Sequence, residues 1–336
     1  MSDTGLCRAV RVWLPIRSLG WVNVYPLPGG PGLVDAGMLT GRSVVSLFRG
    51  LRETGFDARR LETVLLTHFH VDHSTLAPVL SLVSGAEVYI GEKDLNMLGG
   101  GVRRFVEEAL ERFVENGVPP AEARSILEAH PAMRLEYAYE ELERVPVRPV
   151  RDGDIISIGG LRLRAVWAPG HTPGSIIYVD EERGLAYVGD VILRGITPHI
   201  TYHWEGTDPL GDYLRTLSMI AGWRGITACP GHRAPIEDPA GRAREIIAHH
   251  EERLREIQSI LCRQGLLTGY DVAKRVKWRT RYTTWEEYPA AEKFFAIGEA
   301  LAHLVHLERR GLVERVQRGS TTLWRPIAGC QPRAQS

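Results

Sequence analysis

The segment Thr67-His68-Phe69-His70-Val71-Asp72-His73 constrains this 336-residue chain more than any other stretch. It packs three histidines and an aspartate into six positions, directly after apolar Val64-Leu65-Leu66, in a chain with only 12 histidines. Residues i and i+2 of an extended segment point to one side. The spacing therefore predicts that His68 and His70 face a common centre. Asp72 and His73 are expected on the loop that turns away, within reach of a second centre. Imidazole combined with carboxylate suits zinc, iron or manganese.

The flanking sequence alternates between strand and helix patterns. Residues 10–14, 21–25 and 33–35 read as short strands, separated by the turn signal Pro28-Gly29-Gly30-Pro31-Gly32. Residues 43–55 place Val44, Leu47, Phe48 and Leu51 at helical spacing. A strand at 63–67, a helix at 75–83 and a strand at 87–90 come next. Alternation of this kind indicates an α/β layered fold. Residues 91–144 are rich in Glu, Arg and Ala, and 102–116 and 120–129 read as helices. This segment is expected to be a helical insertion, either a packed subdomain or a lid.

Strands resume at 145–150, 155–158, 161–167, 175–179 and 185–188. The loops after them carry chemistry: Pro169-Gly170-His171-Thr172-Pro173-Gly174, then Gly189-Asp190, and later Pro230-Gly231-His232. Gly170, Gly174, Gly189 and Gly231 are expected to permit sharp turns with positive φ, and Pro169 and Pro230 to stiffen the loops. A long helix is expected over 239–264. A short helix at 270–276, an amphipathic helix at 291–310 and a hairpin of 313–317 with 322–325 then read as a separate winged-helix-like module. His249, His250, His303 and His306 fall on these helices and are read as surface or packing residues.

Composition narrows the compartment and the partners. Apolar and charged fractions of 44% and 24% are those of a globular chain, and the zero formal net charge gives no global case for nucleic acid or anionic membrane. No apolar run approaches a membrane span. The opening Met1-Ser2-Asp3-Thr4-Gly5 lacks the pattern of a secretory signal, so a cytoplasmic location is expected. Cys7, Cys229, Cys262 and Cys330 are far apart and form no CxxC pair; they are read as buried or incidental thiols rather than a disulfide framework.

HxHxDH, then Gly-His-Thr-Pro-Gly, Gly-Asp and Gly-His in that order, resembles the metallo-β-lactamase superfamily over roughly residues 10–235. The resemblance implies an αββα sandwich with the metal site at one edge of two packed sheets. It implies that His68, His70 and His171 hold one divalent ion, that Asp72, His73 and His232 hold a second, and that Asp190 bridges them. Zinc is the default, with iron or manganese as alternatives. Two such cations would turn a bridging water into the hydroxide nucleophile of a hydrolase. His199, Tyr202 and His203 come after the bridging aspartate, in the region that faces substrate in this family. There His199 or Tyr202 would act catalytically, as oxyanion donor or general acid.

The metal ligands do not choose the substrate. The C-terminal module resembles the lactamase-beta-like group near hydroxyacylglutathione hydrolase, which implies a small acyl substrate: a thioester, ester or lactone. Two alternatives stand beside it. One is a single-strand endoribonuclease, in which Lys274-Arg275-Val276-Lys277-Trp278-Arg279-Thr280-Arg281 contacts RNA. The other is a mononuclear iron persulfide dioxygenase, which shares HxHxDH. The organisation expected is a catalytic domain over 1–237 with the insertion at 91–144, then 238–330 with the long helix and the module. No membrane partner is expected, and the module could instead pack or form a homodimer.

Overall fold

A computed structural model describes residues 7–16, 18–202 and 204–327. By its contacts the chain divides into two compact units. The first comprises 1–102, 134–198 and 216–244; the second comprises 103–133, 199–215 and 245–336. The division follows no single point in the sequence.

The first unit holds two mixed sheets. One runs in the order β1 (Val10–Trp13), β2 (Trp21–Pro26), β3 (Gly32–Val34), β4 (Thr63–Leu65), β5 (Glu87–Gly91) and β6 (Val147–Val150). Its first three strands are antiparallel, and β3 to β6 are parallel. The other contains β7 (Ile155–Ile158), β8 (Leu161–Trp167), β9 (Ile176–Asp180), β10 (Leu185–Gly189) and β11 (Thr227–Pro230), in the order β11-β10-β9-β8-β7. Tyr25, Val34 and Leu65 from the first sheet and Leu163, Ile176, Tyr178 and Tyr187 from the second share one buried cluster. The sheets thus pack face to face.

Helices cover the outer face of the first sheet. The helix Gly41–Glu53 is capped by the Thr40 side chain, which accepts from Ser43 N, and it buries Leu47 and Leu51. It lies against β1 so closely that a Cβ on Gly50 would run into Val10. The helix Ala77–Ser84 packs on β5. This is the αββα sandwich of the expected fold class.

The four-cysteine reading is corrected. Cys7 and Cys229 form a disulfide, with Cα atoms 5.6 Å apart, and Cys262 is disulfide-bonded as well. A separation of 222 residues hides the first pairing from any spacing rule; the sandwich brings Cys7 beside β11. Cys330 lies outside the described residues. Among the described residues no helix is long and apolar enough to cross a membrane.

In the second unit, β12 (Leu267–Thr268), β13 (Val313–Arg318) and β14 (Thr321–Pro326) form a small sheet in the order β12-β14-β13. The helix Ala290–Arg309 buries Phe294, Ile297, Leu301, Leu304 and Val305. Its N-terminal turn meets the helix Pro120–Ala129, where Lys293 pairs with Glu122 at 2.8 Å. The fully buried Trp324 donates its indole N–H to Asn116 Oδ1 at 2.8 Å. Side chains from 103–133 therefore complete the core around the C-terminal helices.

Candidate metal centre

The site is assembled at strand ends. β3 and β4 are parallel and finish at the same edge, which puts Asp35 beside Thr67. The ladder stops there for a local reason: Thr67 N donates to the Asp35 carboxylate at 2.8 Å instead of to a neighbouring strand. β4 consequently ends at Leu65, not at 67 as the sequence suggests, and His68 and His70 lie beyond it in irregular backbone. Asp72 and His73, expected in a loop, occupy a one-turn helix, Val71–Ser74. The Ser74 hydroxyl donates back to Phe69 O and the Thr75 hydroxyl to Val71 O, at 2.6 and 2.5 Å, which tightens the turn.

His171 comes from the connection between β8 and β9, anchored where Ile176 N donates to Thr67 O. Asp190 comes directly after β10, whose register with β11 shifts between Tyr187 and Gly189. Such a bulge bends the strand and re-aims the residues beyond it. The parallel pairing also sets Gly189-Asp190 next to Gly231-His232, with Gly231 N donating to Gly189 O at 2.8 Å. Of the loop glycines, Gly170 and Gly189 have φ of +136° and +49°. Gly174 and Gly231 do not; they are needed for close approach. A Cβ on Gly231 would strike His73 and the Asp190 carboxylate.

All seven residues carried over from the resemblance meet in the first unit. Donor atoms of His68, His70 and His171 lie within 4.8 Å of one another, as do those of Asp72, His73 and His232, and those of His68, His73 and Asp190. Nε2 of His68 and Nδ1 of His70 are 3.1 Å apart. Asp190 touches both groups: its oxygens lie 3.5 Å from His73 Nε2 and His232 Nε2, and 3.9 Å from His171 Nε2.

A ring of partners that the sequence reading missed orients the imidazoles. Asp35, 1% exposed, accepts from His73 Nδ1 at 2.8 Å and from the Thr67 hydroxyl at 3.0 Å. That hydroxyl in turn accepts from His68 Nδ1 at 3.0 Å. His232 Nδ1 donates to Trp21 O at 2.9 Å. Each bond fixes the tautomer that leaves Nε2 as a lone pair, the usual support of a metal-binding histidine. Nε2 of His73 and of His232 are buried and make no hydrogen bond of good geometry. Lone pairs that converge without bonding one another are satisfied by a cation, so the donor set fits the ions that the family implies.

In the ion-free site the neighbouring carboxylates favour protons on His73 and His232, in the place that a cation would take. Burial, with His73 and His70 beside it, holds His68 well below its ordinary pKa, and burial with His171 does the same to His70. Burial works to raise both acids, yet His73 and His232 bring Asp72 down to about 2 and hold Asp190 below the carboxylate range. Burial disfavours a charged His73, but Asp190, Asp35 and Asp72 outweigh it and push that ring well above its usual value.

Asp35 had a faint sequence signal, an acid closing an apolar strand; its left-handed backbone, φ 61°, did not show. Asp94 had none. It lies in the 3-10 helix Glu92–Met97, fully buried, and accepts from Phe69 N, Thr172 Oγ1 and Gly174 N at 3.1, 2.9 and 2.7 Å. One carboxylate thus ties the His68–His70 segment to the loop of His171.

His199 and Tyr202 belong to the second unit. His199 Nδ1 lies 3.7 Å from Glu299 Oε2, and its ring meets Phe295 edge-on at 4.6 Å. Tyr202 is buried; its N–H donates to Gly298 O at 3.2 Å, and burial raises its hydroxyl pKa while Arg315 opposes the rise. His203 lies outside the described residues.

Residues 25–248 match the Metallo-beta-lactamase superfamily, and the chain belongs to it. The probable metallo-hydrolase YqjP of Bacillus subtilis is 26% identical over 95% of this chain and 97% of its own length. The crystal structure of the metallo-beta-lactamase family protein TTHA1429 from Thermus thermophilus is 28% identical and superposes with a TM-score of 0.76, covering 95% and 98% of the two chains. The lactamase-like protein nscB of Neosartorya fischeri is 30% identical over 129 residues, 38% of this chain and 37% of its own length. The chain therefore spans little more than a third of that fungal relative.

Proposed function

We propose that the chain is a dinuclear metal-dependent hydrolase of a small acyl substrate, a thioester, ester or lactone. The observation that supports it most is the convergence of seven donor side chains in three overlapping groups, the donor atoms of each group within 4.8 Å of one another. In this reading His68, His70 and His171 hold one ion, Asp72, His73 and His232 hold the other, and Asp190 serves both. Two divalent cations, zinc by default, supply an acidified water and polarise the acyl oxygen. The protein's own share is placement: Asp35, Thr67 and the Trp21 carbonyl keep the rings in register, and Asp94 holds two of the loops together.

The C-terminal module is proposed to be winged-helix-like; a short strand, two helices and a hairpin whose β14 pairs with β12 support this. The endoribonuclease alternative finds less support. Trp278 is half-buried, donates its N–H to Ala273 O at 2.8 Å and lies under Arg253, so its ring is already engaged.

The test is a panel of thioesters, lactones and a single-stranded RNA, offered to metal-loaded protein. Acyl hydrolysis is expected; cleavage of RNA alone, sensitive to Lys277 and Arg279, would overturn the preference. Asp190→Ala should remove most hydrolysis, about 100-fold or more, and lower the bound metal. Full activity in that variant would end the dinuclear reading.

A further inference from the structure

The second unit contains a separate set of metal-type donors. His250 sits on the helix Pro239–Gln264, and Glu299 and His303 lie four residues apart on the helix Ala290–Arg309. That spacing puts Glu299 and His303 on one helix face. Donor atoms of all three lie within 4.8 Å of one another, and both histidines are 0% exposed.

The geometry repeats that of the larger centre. His250 Nδ1 and His303 Nε2 are 3.1 Å apart, the same separation as the donor nitrogens of His68 and His70. His303 Nδ1 donates to the backbone oxygen of Glu299 at 2.7 Å, which leaves Nε2 as the lone pair, as the Trp21 carbonyl does for His232. His250 Nε2 is buried with no hydrogen-bond partner, as is Nε2 of His73. The two rings lie within hydrogen-bond distance of each other and His250 Nε2 is left without a partner, and two buried imidazoles beside a carboxylate are costly to gather for packing alone. The Glu299 carboxylate is oriented by His199, whose other nitrogen contacts the Thr201 hydroxyl.

We propose that His250, Glu299 and His303 bind one divalent transition-metal ion of the zinc type, independently of the seven-residue centre. Two imidazoles and a carboxylate suit zinc and its borderline neighbours, and three protein donors leave a position for water or a small anion. The ion would clamp the long helix to the helix that forms the core of the C-terminal module.

The full-length protein, loaded with Zn2+ and freed of excess, should carry one more metal equivalent than His303→Gln or Glu299→Gln, measured by elemental mass spectrometry. His68→Ala/His171→Ala should keep that equivalent, so a failure of the dinuclear proposal changes the total but not this difference. Because a variant can lose its fold, the unaltered protein is also crystallised with Zn2+ for anomalous scattering at the zinc edge. A peak about 2 Å from donor atoms of all three residues is expected. No peak there at saturating Zn2+, or wild-type metal content in both folded variants, would overturn the proposal.

Discussion

Asp35 shows how much one residue outside the ligand set can decide. Its two oxygens serve His73 directly and His68 through Thr67, and its φ of 61° is held against the preference of a non-glycine residue. Asp35→Asn keeps the shape but replaces one acceptor with a donor. Metal affinity is expected to fall about 10–100-fold with the fold intact, read by competition with a chromophoric chelator. Unchanged affinity would show that the tautomers are set by something else.

Asp94 makes a different prediction, about pH. Burial pushes its carboxyl up to about 7, against three hydrogen bonds that favour the charged form. A folded pKa above the unfolded value means that the native state holds the proton more tightly. The contribution to stability is therefore full below about pH 4 and lost as pH rises through about 7. In metal-free protein, the stability of wild type relative to Asp94→Asn should decline across this window, as read by denaturant midpoints at a series of pH values. A difference that stays constant from about pH 4 to 8 would exclude the assignment.

At the scale of elements, the strands are legible because β1 and the start of β8 alternate and because β9 and β10 are short apolar runs closed by turn signals. The one-turn helix Val71–Ser74 is not: four residues carry no periodicity, and hydroxyl-to-backbone bonding is what stabilises them. The helix Pro209–Ile220 is a further element that the sequence reading does not assign. The β10 bulge is invisible in the sequence because register depends on the partner strand. Gly231 tests the element-level account. Gly231→Ala forces a methyl group between His73 and Asp190, so metal content should drop while the far-ultraviolet circular dichroism stays that of wild type. Normal metal content in that variant would mean that the loop can shift, and the close approach would not be required.

For the molecule as a whole, the Cys7–Cys229 disulfide joins the start of the described chain to the strand that leads into His232. Closing so long a loop restricts the unfolded chain, and its loss is expected to cost about 2–5 kcal/mol. The comparison is denaturant unfolding of wild type and Cys7→Ser/Cys229→Ser under non-reducing conditions; equal midpoints would deny the bond a stabilising role. The same bond bears on the cytoplasmic expectation. Such bonds persist in oxidising compartments and in intracellular proteins of hyperthermophiles.

The sequence by itself picked out the candidate donors. Ligand identity depends on residue type and on position at strand ends, both local properties, and His68, His70, Asp72, His73, His171, Asp190 and His232 are legible in order along the chain. The layered α/β class was legible for the same reason. Only the tertiary structure decided what surrounds those donors. Asp35, Asp94 and the Trp21 carbonyl act on residues far away in the chain, as does the Cys7–Cys229 bond. His250 and His303, read singly as surface or packing residues, became a pair only when two helices were packed together with those residues 53 positions apart. Proximity across the chain arises from packing of the core, and no spacing rule along the sequence encodes it. The segment from His68 to His73 thus names the chemistry, and the fold around it supplies the order in which that chemistry is held.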